Sequence, residues 1–240
     1  MYDADVVIVA CSKTPELQQM TQRCLDSLYK SEPDLSLQVL LVETGPATRY
    51  DGQHRYLLAE PGELNYNRWL NQGVAAGTSE IVACCNNDLL FKPGWLSSNL
   101  QVFADRLDIA SLGSLSAVCD QHRRFGPGLH FGWTVSEEFS GWCFTLRRSV
   151  WRQIGQLSEQ YQFYGSDNIL VRQLQQGGFK HALNAASHVW HLISRSHGLL
   201  TAAEHAAVTV TEMQQFHQDS RRMAYGPVPP NTGYGVAGCP

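Results

Sequence analysis

Residues 81–95, I-V-A-C-C-N-N-D-L-L-F-K-P-G-W, constrain this chain more than any other stretch. Ile81, Val82, Ala83, Cys84 and Cys85 are five small or apolar residues in succession, the pattern of a strand covered on both faces in a parallel sheet. The run halts at Asn86, Asn87 and Asp88. Open α/β sheets place their ligand crevice beyond the carboxyl ends of the strands, so these polar residues are expected at the mouth of a pocket. Asp88 alone among them is charged. A single carboxylate with amide neighbours suits Mg2+ or Mn2+ when a substrate diphosphate completes the coordination. A plain Asn-Asn-Asp turn between strand and helix has the same composition, and both readings stand at this point.

Two further runs precede this one. Residues 5–10, D-V-V-I-V-A, read as a buried strand leading into Cys11-Ser12-Lys13, after which Thr14 is placed as an N-cap with Pro15 at the first helical position. Leu17, Met20, Cys24, Leu25 and Leu28 then form one apolar stripe. Residues 37–42, L-Q-V-L-L-V, read as a second strand stopping at Glu43-Thr44-Gly45-Pro46. Both strands end in polar residues expected on the same edge as Asp88. Within 63–77, Tyr66, Trp69, Leu70, Gly73 and Val74 fall at helical spacing, while Asn67 and Asn71 sit four apart on an adjoining face, solvated or turned to a ligand. A helix opened by Pro93-Gly94 and a strand at 109–115 complete a β-α-β-α-β-α-β order. Neither G-x-G-x-x-G nor G-x-x-x-x-G-K-[ST] occurs, which excludes the usual dinucleotide and P-loop signatures.

The second half is less periodic. Residues 116–140 carry Gly126, Gly128 and Gly132 among Arg123, Arg124, His130 and Trp133, and a long loop in a packed domain is more often functional than idle. It is the candidate acceptor-facing flap. G-W-C-F-T-L at 141–146 reads as a strand, 147–154 as a short helix, and F-Y-G-S-D-N opens a helix at 169–176. Asp167 is there either a helix cap or a functional carboxylate. Residues 179–183 and 186–192 read as two short strands. Strand alternation turns His188 and His191 to opposite faces, which argues against a two-histidine zinc site and leaves one of them as a ligand. Thr201-Ala202-Ala203-Glu204 is a capping box opening a helix to about 223, and 224–240 has the composition of an extended tail.

At 240 residues, one large α/β domain is expected rather than two small ones. Charged residues make up only 17% and the net charge is −4, so no general electrostatic pull toward nucleic acid or an anionic membrane exists; Arg147, Arg148 and Arg152 remain as a local basic cluster. No apolar run approaches the roughly 18 residues of a membrane span, and M-Y-D-A-D lacks a signal peptide's basic start, so a cytoplasmic protein is expected. Seven cysteines without paired C-x-x-C spacing are expected to be reduced and mostly buried.

Taken in order, V-V-I-V-A-C-S, L-V-E-T-G-P, N-R-W-L-N-Q-G, C-C-N-N-D, G-W-C-F-T-L-R-R, F-Y-G-S-D-N and S-H-V-W-H-L-I-S-R-S resemble the GT-A glycosyltransferases. The resemblance is closest to the large family-two group of rhamnosyl- and polysaccharide-type transferases, and it covers about residues 5–197. It implies a single Rossmann-like domain, 1–223, with a mostly parallel sheet and helices on both faces. Residues 1–115 would form the nucleotide-sugar half, 116–200 the acceptor and catalytic half, and 201–223 a C-terminal helix before the tail.

The roles implied by the resemblance run residue by residue. Ala10, Cys11, Ser12 and Glu43 would meet the nucleoside, and Asn67 and Asn71 would contribute to its pocket. Asn86-Asn87-Asp88 stands at the D-x-D place, with Asp88 on the metal that bridges the donor diphosphate. Gly141 and Trp142, with Asn168, would line the acceptor side, and Asp167 would be the catalytic base. His191 would be the late metal ligand, and Ser194 and Ser196 would lie near the phosphates. The implied activity is transfer of a sugar from a nucleotide-diphosphate sugar to a glycan or other hydroxyl-bearing acceptor, using Mn2+ or Mg2+ and inverting the anomeric centre. The chain departs from the family at Glu43-Thr44, where two aspartates are usual, at Asn86 in place of the first Asp, and at Ser166-Asp167 in place of Glu-Asp. Y-G-S-D-N is also similar to the W-G-G-E-N of retaining GalNAc transferases. A retaining transferase, a non-catalytic sugar-nucleotide-binding relative and a metal-dependent hydrolase or nucleotidyltransferase therefore stand as alternatives.

Overall fold

A computed structural model describes residues 2–59, 64–161 and 165–192. The first strand, β1 (Ala4–Ala10), is buried along its whole length. Its alternation feeds two cores: Ala4, Val6, Ile8 and Ala10 face one, Val7 and Val9 the other. Helix α1 (Pro15–Ser31) follows, with the Thr14 hydroxyl accepting from the Leu17 N–H and Pro15 in the first turn, as its sequence predicts. Its stripe of Cys24, Leu25 and Leu28 enters the first core, joined by Trp95, Leu96 and Phe103 of α3 (Trp95–Asp105). The second core takes Leu70 and Val74 from α2 (Tyr66–Ala76), Val150 and Trp151 from α4 (Arg148–Gln153), and Leu170, Val171 and Leu174 from α5 (Ser166–Gln176). Helices therefore cover both faces of the sheet.

The remaining strands are β2 (Leu37–Glu43), β3 (His54–Leu58), β4 (Ile81–Asn86), β5 (Leu89–Phe91), β6 (Ile109–Ser116), β7 (Leu129–Phe131), β8 (Cys143–Arg147) and β9 (Lys180–His191). Their order is β3-β2-β1-β4-β8-β6-β9-β5, with β7 also on β9. β1 to β4 run parallel, and β8 is antiparallel to both β4 and β6. Strand β6 and its parallel partner β9 consequently point the same way as β1. Strands β1 to β4, β6 and β9 therefore end at one edge of the sheet, where the sequence pattern placed Asp88, while β5, β7 and β8 run the other way.

Three short strands, β3, β5 and β7, were not foreseen, and the two expected strands at 179–183 and 186–192 are one. Strand β9 carries a bulge: its register on β6 jumps from Ser114↔Asn184 to Leu115↔His188. The edge where the strands begin is closed by an ion pair between Arg148 and Asp5, both buried. Arg148 also donates to the carbonyls of Ser79 and Val74, and the Ser79 N–H and hydroxyl donate to the Asp5 carboxylate at 3.0 and 2.7 Å. Arg147 is likewise engaged, donating to the carbonyls of Ile109 and Phe103 at 3.1 and 2.7 Å. The basic cluster expected at 147–152 is thus reduced to an exposed Arg152, because two of its guanidiniums cap backbone carbonyls. No helix among the described residues is long and apolar enough to cross a membrane. The six described cysteines are free thiols. The expected C-terminal helix and tail lie outside the described residues.

Candidate functional site

Parallel register brings Glu43 opposite Ala10 and Asn86 opposite Val9, so the three strand ends form one rim. Just beyond β4, Asn87 turns inward and donates to the Thr21 hydroxyl at 2.8 Å, while Asp88 is only 3% exposed. The pairing of Leu89 on β5 with His191 on β9 then sets the His191 ring beside that carboxylate, Nε2 3.3 Å from Asp88 Oδ2. Asp88 Oδ1 has no hydrogen-bond partner among the described residues. A buried carboxylate oxygen without a donor is costly and uncommon, so its natural partner lies beyond the described residues, and a bound cation fits that place. Among the described residues no group of three His, Cys, Asp or Glu could hold a metal. Two protein donors fit an ion that takes its other oxygens from a substrate, as Mg2+ and Mn2+ do, and do not fit a closed structural cage.

His191 is held from two sides. Its N–H donates to the Ser116 hydroxyl at 3.2 Å, and its ring stacks on Trp142, with centroids 5.1 Å apart and planes 17° from parallel. The indole also packs against the first core and faces the His122 ring, 5.7 Å away. His122 Nδ1 accepts from the Ser116 N–H at 2.9 Å, which puts its proton on Nε2, and burial pushes its pKa down. His188 is exposed beside Trp190 while His191 is half-buried, the alternation expected from the strand.

On the other side of Trp142 in sequence, Gly141 lies against Asp167. A Cβ on Gly141 would stand 2.0 Å from Asp167 Oδ1, so only glycine permits this approach. The Gly141 N–H donates to the Asp167 carboxylate and lowers its pKa, yet burial outweighs this and the pKa is raised. The N-cap of α5 is Gly165, with φ +80°, so Asp167 sits in the first turn and is not the cap. Its neighbour Asn168 is half-buried. Tyr66, read in the sequence only as an apolar helix position, donates to Asn86 Oδ1 at 2.5 Å. Its phenol is pushed well up, first by burial, then by Cys84 and Cys85, and by Asp167 and Asp88, so it lies within electrostatic reach of both carboxylates. The signal was available: Tyr66 follows the N-cap Asn65, where a helix end faces the rim.

The Glu43 carboxylate takes donors from Ser12 N–H at 2.9 Å, Gly45 N–H at 2.7 Å and the Tyr50 hydroxyl at 3.1 Å. Burial and the Glu43 charge push the Tyr50 pKa up to about 12. Glu43 thereby pins together the loops after β1 and β2, leaving Cys11 and Thr44 partly open and Ala10 buried. Asn67 and Asn71 are neither solvated nor turned to the rim. Asn67 donates to the Ser158 carbonyl at 2.7 Å; Asn71 donates to the Leu157 carbonyl at 2.8 Å and accepts from Trp151 Nε1 at 3.1 Å. Their amides fasten α2 to 157–159, a partner too distant in sequence for the helical pattern to show. Glu137 and Glu138 both pair with Arg124 inside the flap. Ser194 and Ser196 lie outside the described residues.

No protein-family model matches the chain, and no curated protein sequence matches it. In contrast, 340 chains of solved structures do match. One is the mannosyltransferase PcManGT from Pyrobaculum calidifontis, determined in complex with GDP-Man and Mn2+, at a TM-score of 0.62 and 15% sequence identity. The match covers 96% of this chain and 66% of that one, so this chain spans under two thirds of that structure's length. The likeness shows the fold: a GT-A-like α/β domain with a large central sheet, as the motif order predicts.

Proposed function

We propose that the chain is a glycosyltransferase of the family-two type, moving a sugar from a nucleotide-diphosphate sugar to an acceptor hydroxyl with inversion. The observation that carries this reading is a single rim holding Asp88, with its partnerless buried oxygen beside His191, and Asp167, a carboxylate of raised pKa. Asp88 and His191 would hold Mn2+ or Mg2+ against the donor diphosphate, where the ion neutralises charge on the leaving group. The PcManGT complex, with its GDP-Man and Mn2+, supports that choice and makes GDP-mannose the first donor to test.

Residues 1–115 serve the donor and 116–200 the acceptor in this reading. Glu43 shapes the nucleoside side through the loops it pins, with Ala10, Cys11, Ser12 and Asn86 along that wall. Gly141 orients the Asp167 carboxylate by its N–H. Asp167 then accepts the proton of the attacking hydroxyl, a task a raised pKa favours, because proton affinity nearer to neutrality drives the transfer. Trp142 fixes His191 and separates donor from acceptor. Ser194 and Ser196, placed near the phosphates by the resemblance, complete the site.

The test is a donor screen that follows nucleoside-diphosphate release with Mn2+, with Mg2+ and in excess EDTA. Release should need both a divalent ion and an acceptor, and Asp88→Ala should abolish it. Full activity in EDTA sinks the metal assignment. Donor binding by calorimetry without any turnover sinks the enzymatic one and leaves a sugar-nucleotide-binding protein.

A further inference from the structure

We infer that the cleft between the flap and the bulge of β9 binds an anionic sugar, one carrying a carboxylate or a phosphate; as the acceptor site it rests on the transferase reading. The cleft has a volume of about 440 Å³ and lies at the ends of β6 and β9, on the same rim as Asp88. His122 forms part of its wall and touches Trp142, the indole that stacks on His191. A ligand in the cleft is thus two side chains, His122 and Trp142, away from the proposed metal pair.

The cleft is built by the chain rather than left by loose packing. The β9 bulge swings Ala185 and Ala186 into its wall, and the Ala185 N–H donates to the Gly128 carbonyl at 3.0 Å, tying bulge to flap. Across from them, Cβ atoms placed on Gly126 or Gly128 would meet nothing within 4 Å. Small residues on both sides hold the space open. Its size lies within the range of small-ligand pockets, and it opens broadly to solvent.

Its chemistry selects the ligand. Among the described residues no Asp or Glu lines the cleft, whereas Arg123 and His188 do, both exposed, and Phe125 adds an aromatic wall for a sugar's C–H face. Arg123 pairs with Asp120 at 3.0 Å, but the two side chains are 72% and 79% exposed. Such a surface pair is worth little and exchanges readily for a carboxylate or phosphate, which a guanidinium can grip with two N–H groups.

The test is saturation-transfer NMR on the full chain with Mg2+ and GDP, using methyl β-D-glucuronide, glucose 6-phosphate and methyl β-D-glucoside as probes. One or both anionic probes should show saturation transfer several-fold above the glucoside, declining with added salt. The anionic signal should drop several-fold in Arg123→Gln and vanish in Gly126→Leu, which fills the cleft at a position with room for a side chain. Which anionic probe binds separates carboxylate from phosphate, and either supports the inference. Equal binding of the glucoside, or anionic binding unchanged in both variants with normal melting curves, overturns it. Calorimetry of GDP, UDP, dTDP and ADP with Mn2+ on the same proteins is the control: binding of none of them by the wild type defeats the transferase reading, while the NMR scores the cleft by itself.

Discussion

The two edges of the sheet each bury an aspartate, and they treat it in opposite ways. Asp5, where the strands begin, faces Arg148 and two donors from Ser79, leaving neither carboxylate oxygen without a partner. Asp88, where the strands end, has a half-buried imidazole near one oxygen and, among the described residues, no hydrogen-bond partner for the other. A carboxylate enclosed by its own chain stabilises a fold, and one enclosed but incomplete is held for a visitor. Asp167 extends the contrast, since it has a Gly141 N–H and a weak Ser166 contact at 3.4 Å, and burial still raises its pKa.

The contrast breaks first at Asp167. At pH 7, Asp167→Asn should cut turnover by about 10²–10⁴-fold, because an amide cannot accept the acceptor's proton. The same change should raise the melting temperature. A carboxylate whose folded pKa is raised contributes stability below its unfolded pKa and loses it as pH climbs through the folded value, so its charge opposes folding at neutrality. A lower melting temperature with normal turnover would show that Asp167 is a structural group. By the same sign, the acid limb of the rate profile should lie above the ordinary carboxylate range.

At the opposite edge, Arg148→Met should remove about 3–5 kcal/mol of stability in urea melts by stranding the Asp5 charge. Nucleotide affinity measured well below the melting temperature should not change. Altered affinity there would mean the two edges are coupled. A third buried group gives a smaller effect: His181 Nε2 donates to the Glu138 carbonyl at 2.9 Å, and burial lowers its pKa to about 4. A depressed pKa gives stability present above the unfolded value near 6.5 and lost as pH falls toward 4, on the order of 2–3 kcal/mol by pH 4.5. Urea melts at pH 7 and 4.5 should show that loss in the wild type and a smaller one in His181→Gln. The smallest effect is at Tyr66. Removing its hydroxyl in Tyr66→Phe frees the Asn86 amide to turn and should raise the donor KM by about three- to tenfold, with kcat within about twofold. A collapse of kcat instead would make Tyr66 part of the proton path.

The strands buried on both faces were legible because β1, β2, β4 and β6 are continuous apolar runs, and α1 because Thr14-Pro15 marks its start. Strand β3, H-R-Y-L-L, escaped notice because it is an edge strand with no fully buried position. Strand β9 split in two on paper because Asn184-Ala185-Ala186-Ser187 interrupts its apolar residues where the bulge forms. In the site, the ends of runs marked Asn86, Asp88 and Glu43 as rim residues, since apolar length ends where the sheet does. Periodicity along one helix could not show that Asn67 and Asn71 answer to 157–159, nor that Tyr66 reaches Asn86, because each partner lies some twenty to ninety residues away.

Strand β8 runs against its neighbours and wedges between β4 and β6, which gives the chain a particular order of assembly. Cys85 and Cys143, register partners on β4 and β8, are 58 residues apart, so this pairing closes a long loop, as do those of β1 with β4 and of β6 with β9. Until residues 143–147 arrive, β4 is an open strand edge, the kind of surface on which nascent chains join one another. Gly141 and Trp142 travel with β8, so the proposed catalytic rim closes in the same event that covers that edge. Recovery of nucleotide binding should therefore track the docking of β8, and a high yield of active protein should depend on low chain concentration during that step.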